Sequence, residues 1–211
     1  MNATRTTDGC SALMSASSFG HIETVRCLVE RGGANVNAAR TTDGNTALIW
    51  ASENGHLEIV RFLVERGDAN VNAAMSTDGG TALMSASQYG HSLIVAYLLT
   101  CGAAVNAALS PSGATALTCA SWKGHAAVIP ILAAAGADLG AATTGADPGP
   151  AALALGTTPL MLAAREGHAQ CVRALLGLGA GAGAADAAGR TARDYAAGFA
   201  EVLTALEAAQ P

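Results

Sequence analysis

The stretch Gly55–Gly67 reads GHLEIVRFLVERG, and Gly20–Gly32, thirty-five residues earlier, reads GHIETVRCLVERG. The Gly-His pair returns at Gly90-His91, Gly124-His125 and Gly167-His168, so all five histidines follow a glycine, at spacings of 35, 35, 34 and 43. A second marker, a glycine two residues before Ser or Thr, falls at Gly9, Gly44, Gly79, Gly113, Gly156 and Gly189, spaced 35, 35, 34, 43 and 33. Two independent markers that keep one period and stretch at the same place define a repeat protein.

Aligned on the second marker, the units read DGCSALMSASSFGH, DGNTALIWASENGH, DGGTALMSASQYGH, SGATALTCASWKGH and LGTTPLMLAAREGH, with a shorter last unit, AGRTARDYAAGFAE. Ser11, Thr46, Thr81, Thr115, Thr158 and Thr191 are suited to cap a helix by accepting an orphaned N–H. Pro159 fits the first helical position. Glycine then ends this short helix in a left-handed conformation. After Gly-His comes a second helix, as in Leu57–Arg66, where Ile59, Val60, Leu63 and Val64 form one apolar stripe at the helical period. Gly67 ends it, and an Asn-, Gly- and Asp-rich connection turns the chain out and back.

Composition narrows the function. Of 211 residues 51% are hydrophobic but only 4% aromatic, a core of closely packed alanine-rich helices. The net charge of −5 and the lack of any Lys/Arg run argue against nucleic acid and against a basic membrane-surface helix. The longest apolar run, around 126–135, contains Pro130 and is too short to span a bilayer. MNATRTTDGCSALM lacks the pattern of a secretory signal, and five cysteines without a CxxC pair suit a reducing compartment. The chain is expected to be a soluble cytoplasmic monomer.

The pattern G-x-T-P-L-H-x-A-A-x-x-G-H, followed by an apolar helix and G-A-x-V-N, resembles the ankyrin repeat over essentially the whole chain. In the second unit Gly44, Thr46, Leu48, Ala51, Gly55, His56, Val60, Leu63, Gly67, Val71 and Asn72 all match. The resemblance implies an all-α solenoid of stacked helix-turn-helix repeats with short β-hairpin-like connections. It is a single array over 1–211, with units at 6–40, 41–75, 76–109, 110–152, 153–185 and 186–211. Gly140–Leu155, rich in Gly, Pro and Ala, reads as a flexible insertion between units four and five, either an elongated finger or, as favoured here, a tolerated insertion. Departures from the motif are informative. Its proline survives only as Pro159, and its first histidine is replaced by Met14, Ile49, Met84, Thr118 and Met161, where apolar contact is expected to substitute. GGANVN and GDANVN also carry one residue more than GAAVN.

The histidines invite a metal reading, but one per repeat gives a ladder spaced roughly 8–10 Å apart, too far for ligands of one zinc ion. The expected role is an imidazole bonding backbone at the start of the second helix. No HExxH, GxSxG or GxxxxGK[ST] occurs, and the glycine tract from Gly177 follows a helix rather than the strand a dinucleotide site needs. No catalytic, cofactor-binding or metal-binding residue is assigned, and no enzyme activity or cofactor is expected. Asn37, Asn72 and Asn106 stand where the family's asparagine holds the turn; in some members it is hydroxylated.

The resemblance also implies a concave groove that binds a partner protein or peptide. The family's contact positions carry over as the residue after the repeat glycine (Cys10, Asn45, Gly80, Ala114, Thr157, Arg190) and the two before Gly-His. The latter are Ser18-Phe19, Glu53-Asn54, Gln88-Tyr89, Trp122-Lys123 and Arg165-Glu166. The strongest candidates are Phe19, Asn45, Glu53, Asn54, Gln88, Tyr89, Trp122, Lys123, Arg165 and Glu166. These pairs differ between units while the framework repeats, and three of eight aromatics, Phe19, Tyr89 and Trp122, fall among them. They are either interface anchors or packing between neighbouring repeats. A non-catalytic interaction scaffold is the leading reading. The abrupt first repeat supports a second, that the array regulates or targets an enzyme within a longer protein.

Overall fold

Helices begin where the sequence offers a capping oxygen. The structure, a computed structural model, describes residues 9–144 and 154–208. Among the described residues twelve α-helices fall in pairs: α1 (Ala12–Ser18) with α2 (Ile22–Arg26), α3 (Ala47–Glu53) with α4 (Leu57–Glu65), and α5 (Ala82–Gln88) with α6 (Ser92–Thr100). They continue as α7 (Ala116–Lys123) with α8 (Ile129–Ala134), α9 (Pro159–Arg165) with α10 (Ala169–Gly177), and α11 (Ala192–Tyr195) with α12 (Ala200–Ala208). Ser11, Thr46, Thr81, Thr115 and Thr158 each accept the N–H three residues on. Thr191 instead donates, through its N–H and its hydroxyl, to the Asp194 carboxylate.

Where the family's first histidine is missing, apolar contact does not replace it everywhere. The cap N–H of Ser11 lies 3.4 Å from the Met14 sulfur and that of Thr158 3.5 Å from the Met161 sulfur. The Thr115 N–H donates to the Thr118 hydroxyl at 3.1 Å. Sulfur and hydroxyl thus keep a hydrogen-bonding role that Ile49 cannot supply.

Each connection closes as a hairpin. The carbonyls of Asn45, Gly80, Ala114, Thr157 and Arg190 accept the N–H groups of Arg40, Met75, Leu109, Thr143 and Asp186 at 2.8 to 3.0 Å. The repeat glycine makes room for the next hairpin: Gly44 is left-handed (φ +77), and a Cβ there would collide with the Ser76 amide, which donates to the Asp43 carbonyl. Residues 145–153, the greater part of the expected insertion, lie outside the described residues. Its flanks meet: the Gly156 N–H donates to the Thr143 carbonyl (2.8 Å), and the buried Thr143 hydroxyl to the Ala154 carbonyl (2.7 Å).

Asparagine ties one connection to the next. Asn37 donates to the Asp68 carbonyl (3.0 Å) and accepts the Asn70 N–H (2.7 Å). Asn72 does the same with Gly102 and Ala104, and Asn106 with Gly136 and Asp138. Gly67 follows its helix without taking the left-handed conformation. The extra residue of GDANVN moves that conformation to Asp68 (φ +55), as GGANVN moves it to Gly33 (φ +59). Aspartate tolerates this backbone better than most side chains. In the first pair the extra residue accompanies a π-helical turn, Cys27–Arg31, after α2.

The chain folds as two compact units, Met1–Ala104 and Val105–Pro211. In the first, α3 packs between α1 and α5, and α4 between α2 and α6. In the second, α9 packs between α7 and α11, and α10 between α8 and α12. Leu48, Ile59, Leu63, Leu83 and Leu98 are buried in the first; Leu117, Leu132, Leu160, Val172 and Leu175 are buried in the second. Each such burial contributes about 1.5–3 kcal/mol. Ser17, Ser52, Ser87 and Ser121 place buried hydroxyls without a partner among the described residues at one repeated helix position, which Ala164 fills without that desolvation cost. Pro130 sits in the first turn of α8, where its missing N–H breaks no helical bond; α8 is the shorter for it, six residues against nine in α4.

Candidate interaction surface

The histidines fix the ends of the first helices. His56 Nε2 lies 3.0 Å from the Ser18 carbonyl, His91 Nε2 2.9 Å from that of Glu53, and His168 Nε2 3.0 Å from that of Trp122. A carbonyl only accepts, so Nε2 carries the proton in each. The bonded carbonyl belongs to the preceding pair's first helix, not to the start of the histidine's own helix as the sequence suggested. Gly20, Gly55 and Gly124 each admit the next bolted imidazole: a Cβ on Gly55 (φ +78) would stand 2.7 Å from the His91 ring. In the last pair the Phe199 ring takes this place against Gly167. Among the described residues no group of three or more His, Cys, Asp or Glu is arranged to hold a metal ion.

The bolted carbonyls lie beside the candidate contact residues. In the first unit Phe19, Asn54 and Tyr89 close α1, α3 and α5 at equivalent places. Phe19 is 73% exposed and Tyr89 49%, while Glu53 and Gln88 are half-buried. The exposed Asn54 turns its amide back to the Trp50 carbonyl at 2.9 Å. The Tyr89 ring stacks on His91 with centroids 6.5 Å apart. Burial raises the Tyr89 hydroxyl pKa above its ordinary value, and the neighbouring Glu53 carboxylate raises it further. In the second unit Trp122 is half-buried with the Lys123 ammonium 4.4 Å from its ring centroid. There the Arg165 Nε donates to Glu166 at 3.0 Å, at the end of α9.

The other candidate set is corrected. Asn45 is only 9% exposed; its amide nitrogen donates to Asp43 at 3.1 Å, and its own N–H donates to the same carboxylate at 3.0 Å. Cys10, Gly80, Ala114 and Thr157 are buried too. Arg190 is exposed but paired with Asp186 at 2.9 Å. The cause is common to the set: from Asn45 onward, each residue gives its carbonyl to close the hairpin, and all but Arg190 are buried there. Beside this lock Arg40 pairs with Asp43 and holds that carboxyl down at about 2.

Sequence reasoning passed over Trp50. It is half-buried on α3, with the Arg40 guanidinium 5.3 Å from its ring centroid. A signal was available, because the same column holds Ser15, Ser85, Cys119 and Leu162 and is as variable as the pairs before Gly-His.

No helix among the described residues is long and apolar enough to cross a membrane. A search of curated proteins gives no match to this chain. The family model for ankyrin repeats (3 copies) matches residues 1–75, 68–143 and 140–209. With capped helix pairs, hairpin connections and histidine bolts repeating along the same residues, the chain belongs to the ankyrin repeat family, whose members generally serve as protein-interaction modules.

Proposed function

We propose that this chain is a non-catalytic binding module that holds a partner protein or peptide against the ends of its first helices. The contact residues are Phe19, Glu53, Asn54, Gln88 and Tyr89 in the first unit and Trp122, Lys123, Arg165 and Glu166 in the second. The six repeats take the bounds set by the glycine spacing, and the module works as a cytoplasmic monomer. The observation that carries this reading is the exposure of Phe19 and Tyr89 at equivalent helix ends whose backbone is otherwise tightly tied. Large aromatics left in water forgo burial that stabilises the fold, and such side chains concentrate binding energy when a partner covers them.

Photo-crosslinking tests it. With p-benzoylphenylalanine in place of Phe19 or Tyr89, the same partner is expected to crosslink in the source cells. The same probe at Thr100, exposed at the end of α6, is expected not to capture it. Equal capture from all three positions would sink the reading.

A further inference from the structure

Charge is divided unevenly across the first unit. Its second helices and their ends carry Glu23, Arg26, Glu30, Arg31, Glu58, Arg61, Glu65 and Arg66, four acids against four arginines. The first helices α1, α3 and α5 carry a single charged residue, Glu53. In the hairpins beside them Arg40 is committed to Asp43, and Asp78 accepts the Gly80 N–H at 2.9 Å. The first-helix side therefore holds two carboxylates, Glu53 and Asp78, with no ion-paired cation among the described residues.

Glu53 has aromatic company. It lies one turn after Trp50 on α3, so both project from the same helix face. His91 grips the Glu53 carbonyl, and the Tyr89 ring stacks on that same imidazole, which brings the end of α5 beside the end of α3. The raised Tyr89 hydroxyl reports the same proximity to the Glu53 carboxylate. A carboxylate next to a half-exposed phenol ring offers a cation two things at once, a charge-assisted hydrogen bond and a π face. The unit already shows the second on this side, where the Arg40 guanidinium lies over Trp50.

We infer that Glu53 and Tyr89, flanked by Trp50, receive a lysine or arginine side chain from a basic segment of the partner. This rests on the binding surface proposed above and adds the chemistry of what it binds. In the second unit the positions matching Glu53 and Tyr89 hold Trp122 and Glu166, and each already has a cation of the chain itself, Lys123 at the ring and Arg165 on the carboxylate.

The test selects short random peptides displayed on phage against the full chain. It retains those whose binding is lost with Tyr89→Ala, and resynthesises them with citrulline for arginine or norleucine for lysine. Titration calorimetry should find that the uncharged counterpart binds roughly tenfold more weakly than the parent. Glu53→Gln should weaken the parent by a similar factor and barely change the counterpart, as two halves of one interaction do. The peptide exchange leaves the protein untouched, so it decides the matter even if Glu53→Gln disturbs folding. Tyr89-dependent peptides that bind equally well without charge would overturn this inference and leave the binding surface standing. If no selected peptide depends on Tyr89 or Phe19, surface and inference fall together.

Discussion

Residues 37, 72 and 106 are asparagines, and the next places in that series, 140 and 183, are glycines. The first unit is laced by directed side-chain contacts. Besides the ties from Asn37 and Asn72, the Arg26 guanidinium lies 5.0 Å from the Phe62 ring and that of Arg61 5.2 Å from Tyr97, whose hydroxyl donates to Glu65 at 3.1 Å. In the second unit the positions of Arg61 and Phe62 are taken by Pro130 and Ile131, then by Arg173 and Ala174. Its cation–ring contacts among the described residues, Lys123 with Trp122 and Arg190 with Tyr195, stay within one helix pair. The two units therefore reach one fold with a different balance: side-chain ties recur through the first, whereas the second keeps the Asn106 tie and otherwise relies more on close packing of small apolar residues. What both retain is the buried leucine stripe, the hydroxyl cap and the histidine bolt.

The shared part should carry the largest energies. Leu63→Ala and Leu175→Ala, both from side chains fully buried, should each cost about 2–5 kcal/mol in urea unfolding. A far smaller loss at Leu175 would mean that the second unit is not held by its core. The unshared part should matter less. Asn72→Ala removes two bonds to backbone that water can reach, an expected cost of about 1 kcal/mol. Gly140→Ala should lose nothing. Gly140 is not left-handed, a Cβ there meets only the Asp138 carboxylate at 3.5 Å, and reduced freedom of the unfolded chain should stabilise by about 0.5 kcal/mol. Equal losses at both positions would erase the contrast.

The last contrast is in the dependence on pH, and it emerges in acid. Among the described residues one carboxyl in each unit is held at about 2: Asp43 by Arg40, and Asp186 by the Tyr195 hydroxyl, with Arg190 adding to it. A folded pKa below the unfolded value of 3.8 means stability fully present above that value and lost as pH falls through about 2. Melting temperature should therefore drop between pH 4 and 2, and Asp43→Asn or Asp186→Asn should each flatten that slope. An unchanged slope in Asp186→Asn would show that the terminal hairpin is already open in acid.

Much of this was legible in the residues. Period, capping hydroxyls and the glycine before each histidine follow from chemistry that acts within a few positions, and repetition exposes it. Partners one repeat away were less legible. The histidine's acceptor and the asparagine's targets lie 30 to 46 residues off, and only folding brings them together. The site was read in part. Variability before Gly-His points to Phe19 and Tyr89, but the residue after the repeat glycine varies for another reason. Its carbonyl closes the hairpin, so several side chains are tolerated there without being presented. Trp50 escaped notice because a tryptophan in the middle of an apolar helix reads as core.

The pinned base of the connection at Thr143 and Thr157 has a kinetic meaning. The bolt from His56 to Ser18 closes a loop of 38 residues, and the bolt from His168 to Trp122, which spans the inserted segment, closes one of 46. Loop-closure entropy grows only with the logarithm of length, so that difference costs about 0.2 kcal/mol. Bolts that reach little further than one repeat keep contact order low, and a chain of this kind can assemble pair by pair as it is synthesised. Lengthening one connection delays a single closure slightly and leaves every other one unchanged.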